Sequence, residues 1–172
     1  MASSVTTAPS ESSVVEDYLK RVRSVAPTIT AASDRIESDR RLPPELLSEL
    51  HGAELFRMLL PKAFGGGEVH PACFHQVISE VAQYDASTSW CLGQGNGCAM
   101  TAAYLDPDVS EEIWGRDPKA VLAWGPGKAT IADEGDAWRV NASCAFASGM
   151  RHATWLGAHC HETEADGTVR ED

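Results

Sequence analysis

The segment Trp138-Arg-Val-Asn-Ala-Ser-Cys-Ala-Phe-Ala-Ser-Gly-Met-Arg-His-Ala-Thr-Trp155 determines how the rest of the chain is interpreted. Strand-forming residues lead into Phe146-Ala-Ser-Gly149, where small side chains and one hydroxyl allow the backbone to approach a flat ligand closely. Earlier in the chain, Leu122-Ala-Trp-Gly-Pro-Gly127 places a tryptophan directly before a turn whose exposed backbone suits a polar ring edge. We expect these two segments to form the floor of a pocket, with walls supplied by the helices that precede them.

Composition and charge narrow the class of protein. The chain has 172 residues, 43% of them hydrophobic, and a formal net charge of −11 that is spread along its length, as in a soluble globular protein. The negative charge argues against a nucleic-acid partner, and no apolar run is long enough for a membrane span. The five cysteines form no CxxC pair and the N-terminus lacks a secretory signal, so we expect a cytoplasmic protein without a disulfide framework.

Helices are predicted in the first part of the chain. Residues 1–12 lack apolar periodicity and are expected to form a disordered tail. Apolar residues then recur at helical spacing up to Ile36, and Pro27 predicts either a kink or a junction between two helices. Three further helices are expected to begin at Pro43-Pro44, Pro71 and Ala86.

The last of these helices, predicted over about residues 86–104 with Asp85 as its N-cap, is unusual for its glycines. Its middle reads Trp90-Cys-Leu-Gly-Gln-Gly-Asn-Gly-Cys98. Each interior glycine costs about 1 kcal/mol relative to alanine, so these glycines indicate either close helix packing or a ligand that lies against the backbone. Of the two explanations, packing is slightly favoured.

Beyond Gly115 the helical spacing gives way to short apolar or alternating runs that are typical of strands. Strands are predicted at residues 120–124, 128–132, 137–141 and 155–159, separated by turns at antiparallel hairpin spacing. The expected fold class is α+β, with a helical domain over residues 13–117 and the first part of an antiparallel, barrel-like β-domain over residues 118–172. Because the predicted sheet ends at an unfinished edge, the β-domain is expected to be incomplete.

Three other patterns have ordinary interpretations. His159-Cys160-His161 places two histidines on one face of a strand, but further ligands at a suitable spacing are lacking unless His152 folds over it, so no metal site is expected. Ser148 lacks the Gly-x-Ser-x-Gly context of a hydrolase nucleophile. The arginines near the end of the first helix alternate with acidic residues, which indicates a solvated helix face and not an anion site; they are Arg35, Arg40 and Arg41.

Several segments of the chain resemble those of a known protein family. Resemblance to the N-terminal helical domain of the acyl-CoA dehydrogenase superfamily is carried by Arg40-Arg-Leu-Pro43, Ala53-Glu-Leu-Phe-Arg57, Phe64-Gly-Gly66 and Asp85-Ala-Ser-Thr-Ser-Trp90. Resemblance to the β-domain that follows is carried by Trp124-Gly-Pro-Gly127, Phe146-Ala-Ser-Gly149 and His152-Ala-Thr-Trp155. The second set is most similar to the flavin-dependent monooxygenase branch, the oxygenase components of two-component aromatic hydroxylases.

This resemblance implies a flavin, FAD or FMN, and assigns residues to it. The flavin would be lined by Trp124, Gly125, Gly127, Phe146, Ala147 and Ser148. Ser148 would be the catalytic residue, hydrogen-bonded near the flavin N5, while Trp90 and Cys98 would face the substrate. Cys98 stands about where monooxygenase members often have a histidine. In that branch a separate reductase supplies reduced flavin, which uses oxygen to oxygenate a substrate such as a phenol, and full-length members form homo-oligomers, usually tetramers.

Two alternatives stay open. An acyl-CoA dehydrogenase that oxidises an acyl-CoA with FAD is disfavoured, because Trp124-Gly-Pro-Gly-Lys-Ala-Thr130 replaces that branch's Thr-Glu-Pro…Gly-Ser-Asp segment. The other alternative is a non-catalytic remnant or assembly module. The resemblance covers about residues 15–172 and lacks the family's C-terminal four-helix domain. The chain is therefore expected to be a truncated N-terminal portion, with any catalytic base beyond Asp172.

Overall fold

Helices precede strands in the computed structural model, which describes residues 10–163 and Thr168. The helices are α1 (Glu11–Asp39), α2 (Pro44–Gly52), α3 (Pro71–Ala82), α4 (Ala86–Ala99) and α5 (Pro107–Ser110). Short 3-10 turns at Lys62–Phe64 and Met100–Ala103 and a π-turn at Glu111–Gly115 supplement them. The strands are β1 (Leu122–Trp124), β2 (Gly127–Asp133), β3 (Trp138–Cys144), β4 (Trp155–Gly157) and β5 (His161–Glu162). This order confirms the predicted α+β class.

The first helix is longer than the sequence predicts. It begins at Glu11, where Ser10 caps it by accepting a hydrogen bond from the Ser13 N–H over 3.3 Å, so it starts before the predicted end of the tail at residue 12. Residues 1–9 of that predicted tail lie outside the described residues. The helix then continues through Pro27 as one element, so the junction of two helices does not form. Pro27 lies on the exposed face, where water can hydrogen-bond the carbonyl that it leaves free.

The core lies between the first four helices. Each helix contributes one apolar stripe, and the residues with 0% exposure include Val22, Ile29, Leu46, Leu50, Val77, Val81 and Leu92. Val121, which directly precedes β1, belongs to the same cluster. The strands are therefore attached to the helical core at the point where the chain enters β1.

Two buried polar side chains hold the loops against this core. The amide of Asn96, on α4, donates to the carbonyls of Leu55 and Leu92 over 2.7 and 3.0 Å, and its oxygen accepts from the Leu59 N–H over 3.1 Å. Arg57, which is 8% exposed, likewise donates to backbone carbonyls, and these come from two separate loops. These carbonyls belong to Phe64, Gly65, Trp114 and Asp117. Because every bond of Arg57 goes to backbone, its charge fixes loop geometry and is not available to a ligand.

The predicted hairpin is confirmed. Strands β2 and β3 pair antiparallel in unbroken register, from Gly127 opposite Cys144 to Asp133 opposite Trp138. The connecting turn is short, and Gly135 takes the left-handed conformation, with φ of 87°. Every residue of β3 is exposed, so neither face of this strand is covered by the described residues.

The prediction of an antiparallel arrangement throughout was wrong at two other strand pairs. Strand β4 pairs with β1 in parallel, with Leu122 opposite Trp155, and β5 pairs with β2 in parallel. The cause is the segment between β3 and β4, residues 145–153, which returns the chain to the start of β1. There the Val121 carbonyl accepts hydrogen bonds from the Thr154 and Trp155 N–H groups over 2.9 and 3.2 Å. Strand β4 consequently leaves in the same direction as β1.

Among the described residues, no helix combines the length and the apolar composition that crossing a membrane requires.

Candidate functional site

The two segments that the sequence singles out lie directly against each other. A Cβ placed on Gly125 would lie 2.8 Å from the Cα of Ala147, and one on Gly127 would lie 2.7 Å from the Cα of Cys144. The Ala145 N–H donates to the Pro126 carbonyl over 2.9 Å between them. The space that these glycines leave free is thus filled by the neighbouring backbone.

The segment at residues 145–153, called here the site turn, is a compact backbone structure. Two residues adopt positive φ, Phe146 at 54° and Gly149 at 86°. The Gly149 carbonyl accepts from the N–H groups of His152 and Ala153, each over 3.0 Å. The turn presents the Phe146 ring to the exterior with 90% of the residue exposed. An aromatic residue held in the left-handed region and left uncovered is a costly arrangement, and such arrangements concentrate at functional positions.

Trp90 on α4 and Ser148 on the site turn meet at one cavity. The indole Nε1 of Trp90 donates a hydrogen bond to Ser148 Oγ over 2.9 Å. The cavity has a volume of about 960 Å³ and lies between the connection of α1 to α2, the start of α4 and the site turn. Four of the residues predicted for the site share it: Trp90, Phe146, Ala147 and Ser148.

The other predicted site residues do not border this cavity. The Trp124 ring lies 5.2 Å from the ring of His159, centroid to centroid, at the end of β1. Cys98 lies close to the Trp124 backbone. Burial raises the pKa of its thiol, although a hydrogen bond with the Trp124 backbone opposes the shift. Trp124 and Cys98 therefore lie together outside the lining of the Trp90 cavity.

The glycines of α4 divide between the two explanations that the sequence left open. A Cβ on Gly95 would lie 3.1 Å from Phe56 Cδ1 and 3.4 Å from Val121 Cγ1, so packing accounts for this glycine. Gly93 and Gly97 have no neighbouring atom within 4 Å of such a Cβ among the described residues. Their face of α4, which also carries the exposed Trp90 ring, is open.

His152 borders the cavity and holds the site turn in place, a role that the sequence does not reveal. Its ring lies 5.4 Å from the ring of Phe56, which in turn lies 4.8 Å from the ring of His51. Its Nε2 is buried without a hydrogen-bond partner among the described residues. Burial, with a smaller contribution from His51, lowers the pKa of His152 to about 4, so the ring is neutral at pH 7. A neutral ring thus fastens the site turn to the helical core.

The histidines near the end of the chain have separate environments. His159 packs on Trp124, whereas His152 is turned into the contact with Phe56. Within residues 10–163 and Thr168, no three His, Cys, Asp or Glu side chains converge in a way that could hold a metal ion.

Proteins with similar sequences include a hydroxylase and an oxygenase subunit of a flavin-dependent monooxygenase. A pigment production hydroxylase from Rhodococcus erythropolis is 28% identical over 155 residues, a match that covers 89% of this chain and 39% of the relative. The oxygenase subunit HsaA of a flavin-dependent monooxygenase from Mycobacterium tuberculosis is 29% identical over 143 residues, which covers 81% of this chain and 36% of the relative. The chain therefore spans somewhat under two fifths of the length of these relatives.

A solved structure and a family model also match this chain. XiaF from Streptomyces sp., solved in complex with FADH2 and glycerol, superimposes with a TM-score of 0.88 at 24% identity, over 93% of this chain and 41% of that one. The family model described as the acyl-CoA dehydrogenase N-terminal domain matches residues 15–112. Since this match covers more than half of the 172 residues, the chain belongs to the acyl-CoA dehydrogenase family.

Proposed function

We propose that this chain forms the flavin-facing part of the oxygenase component of a reduced-flavin-dependent monooxygenase that acts on an aromatic or other small organic substrate. One observation carries the proposal: the exposed rings of Trp90 and Phe146 border one cavity together with the hydroxyl of Ser148. Aromatic surface and a hydrogen-bond donor at one wall are what a flat, polar-edged ring system requires.

The size and lining of the cavity fit a flavin. Its volume of about 960 Å³ is near the upper end of the range for small-molecule sites, about 300–1,000 Å³. Trp124, Gly125 and Gly127 then contribute indirectly, because the Gly125 backbone supports Ala147 from behind. Neither FAD nor FMN is favoured by the residues of this cavity, and both belong in the test below.

Ser148 is the residue to which we assign the polar contact with the ring. Because an indole nitrogen donates and has no lone pair to accept with, the bond from Trp90 uses an acceptor site of Ser148 Oγ and leaves its proton free. Among the described residues, that proton has one acceptor within range, the Phe146 carbonyl at the limiting distance of 3.5 Å. A ligand atom in the cavity can therefore receive it.

The remaining residues position this hydroxyl and limit the access of water. A bound reduced flavin supplies the electrons that activate oxygen for insertion into the substrate. The rings of Trp90 and Phe146 would pack against a bound flavin and exclude water from it. The neutral His152 ring keeps the site turn on the helical core, so that Ser148 stays at a fixed distance from α4.

Similar proteins support the assignment of partners. Two relatives are named as a hydroxylase and as an oxygenase subunit of a flavin-dependent monooxygenase, and one structural neighbour was solved with FADH2. We therefore propose a separate flavin reductase as the source of reduced flavin. For the whole protein we also propose a homo-oligomer, a tetramer, which rests on the family resemblance of the sequence alone. The five free cysteines support a reducing, cytoplasmic setting.

Flavin binding by the purified chain tests the proposal. FAD and FMN, each oxidised and dithionite-reduced, are titrated anaerobically and followed by flavin absorbance and by quenching of tryptophan fluorescence. We expect a dissociation constant on the order of micromolar for a reduced flavin, weakened about fivefold by Ser148→Ala. Ser79→Ala on the exposed face of α3 is the matched control and should bind as the wild type does.

Two results would contradict the proposal. One is that no flavin binds to a chain whose circular dichroism and cooperative unfolding show that it is folded. That result would favour the alternative of a non-catalytic assembly module. If an added acyl-CoA bleaches bound oxidised FAD, the protein oxidises acyl-CoA and is a dehydrogenase instead.

A further inference from the structure

Three arginines border the Trp90 cavity. Arg40 and Arg41 come from the connection between α1 and α2, and Arg151 comes from the site turn. Arg40 is the C-cap of α1 and adopts the left-handed conformation, with φ of 52°. The next residue after the pair, Leu42, is 3% exposed. The backbone that carries the two arginines is therefore anchored on both sides while their side chains stay exposed.

Within the part of the chain that the structure describes, these arginines are also free of ion-pair and hydrogen-bond partners for their side chains. Most described arginines are engaged: Arg21, Arg23, Arg35 and Arg139 form ion pairs, and Arg57 binds backbone carbonyls. Four described arginines have neither an ion pair nor a side-chain hydrogen bond with another described residue: Arg40, Arg41, Arg116 and Arg151. All but Arg116 border the same cavity.

The charge around the cavity is opposite to that of the chain. Glu37 is the one acidic residue among those that border it, and His152 is neutral at pH 7, so the lining carries an excess of positive charge. The whole chain, in contrast, has a formal net charge of −11. The positive potential at the cavity attracts anions, whereas the negative charge of the rest of the chain repels them. Arg35, Arg40 and Arg41 are all exposed, in line with the solvated face predicted from the sequence. Arg35 pairs with Glu45, whereas Arg40 and Arg41 have no such pair among the described residues.

We propose that Arg40, Arg41 and Arg151 form an anion site for a carboxylate or phosphate group on the aromatic molecule that occupies the cavity. Guanidinium groups bind both anions through paired hydrogen bonds, and three of them beside exposed aromatic rings select a ligand with a flat apolar body and a charged end. The anion belongs either to the flavin, as its phosphate, or to the substrate, as a carboxylate. This inference rests on the proposed function, since it assumes that an aromatic ligand lies against Trp90 and Phe146.

Two pairs of probes, each an anion and a neutral analogue with the same ring system, test the anion site on the full 172-residue chain. FMN is compared with riboflavin, and phenylacetate with 2-phenylethanol, by isothermal titration calorimetry at low and high salt. We expect at least one charged probe to bind about tenfold more tightly than its neutral counterpart, with the preference reduced at high salt. A chain in which all three arginines are replaced by glutamine (Arg40→Gln, Arg41→Gln, Arg151→Gln) should lose that preference. The Arg116→Gln control, which removes an unpaired arginine outside the cavity, should keep it.

The outcomes separate the two sources of the anion from failure. A preference for FMN assigns the site to the flavin phosphate, and a preference for phenylacetate assigns it to a substrate carboxylate. Equal binding within both pairs, or a preference that the triple variant retains, overturns the anion site. Riboflavin binding without any charge preference leaves the flavin proposal standing. Arginine-dependent phenylacetate binding without flavin binding removes the flavin proposal and keeps the anion site, and no binding by any probe overturns both. If the triple variant fails to fold, an unchanged phenylacetate and FMN affinity at high salt in the wild-type chain overturns the anion site by itself.

Discussion

Trp90 Nε1 and Ser148 Oγ lie 2.9 Å apart and join the helical part of the chain to the turn that follows β3. The two residues are far apart in sequence, and one hydrogen bond orients both. Trp90 is 60% exposed, so the bond is the main constraint on an otherwise free indole. The same bond determines which way the Ser148 proton can point. The site therefore depends on a contact between two elements and not on either segment alone.

Replacing Trp90 by phenylalanine removes the donor while keeping an aromatic ring at the cavity. We expect Trp90→Phe and Ser148→Ala each to lower the free energy of unfolding by about 0.5–1.5 kcal/mol, and the double variant to be no less stable than the weaker single variant. Urea denaturation followed by circular dichroism measures these values. Trp138→Phe, on exposed β3, is the control and should show no coupling with Ser148→Ala. Additive losses for Trp90→Phe and Ser148→Ala would show that the bond contributes nothing.

The buried ring of His152 predicts a pH dependence of stability. Its pKa is about 4 in the folded chain, whereas an unfolded histidine titrates near 6.5. Between these values the unfolded state binds the proton and the folded state does not, so stability is fully present above pH 6.5 and falls as the pH is lowered toward 4. The loss amounts to about 3 kcal/mol at most, and His51, whose pKa is also lowered by burial, adds to it in the same direction.

The variant His152→Phe keeps the ring contact with Phe56 and removes the titrating group. Urea unfolding at pH 7 and at pH 4.5 should show a clearly smaller difference in unfolding free energy for this variant than for the wild type. His75→Gln, an exposed position on α3, is the control and should keep the wild-type difference. If His152→Phe retains the full acid sensitivity, carboxylates elsewhere cause it and the anchoring role of neutral His152 is wrong.

Local signals in the sequence account for most of the helical part. Asp85 caps α4 as predicted, accepting from the Thr88 N–H, and the proline-initiated α2 and α3 begin where the prolines indicate. Of the two possibilities predicted at Pro27, the junction of two helices does not form, because the long apolar stripe of α1 outweighs the cost of an interior proline. The hairpin of β2 and β3 was also predictable from a local signal, because a short turn fixes its register.

The features that could not be predicted from the sequence depend on contacts between residues far apart in the chain. The parallel pairing of β1 with β4 depends on how the site turn packs back on Val121, and nothing within either strand encodes it. The partners of Gly95 and His152 are equally remote, because both contact Phe56 from different segments. Residue type alone could mark Ser148 and Phe146 as candidates, but only the fold brings Trp90 to Ser148 and leaves Trp124 outside the cavity.

The glycines of α4 should respond differently to alanine. A methyl group at Gly97 meets no described atom within 4 Å, so Gly97→Ala should raise the free energy of unfolding by about 0.5–1 kcal/mol through helix propensity alone. At Gly95 the same group would press on Phe56 at 3.1 Å, so Gly95→Ala should lower it. Thermal unfolding of the two single variants measures the contrast. Equal shifts for both would mean that Gly95 is not tightly packed against Phe56.

Cys91 and Cys144 should differ sharply in reactivity toward alkylating reagents. Burial, aided by nearby Asp85, raises the pKa of the Cys91 thiol to about 11, whereas Cys144 is exposed. Only the thiolate reacts, so at pH 8 Cys91 should be alkylated by iodoacetamide roughly a hundredfold more slowly than an ordinary accessible thiol. Peptide mass spectrometry over a time course gives both rates in one sample, and Cys91→Ser and Cys144→Ser confirm the peak assignments. Because Cys91 borders the Trp90 cavity, comparable rates at the two positions would show that α4 moves away from the site turn in solution and that the cavity is not a fixed site.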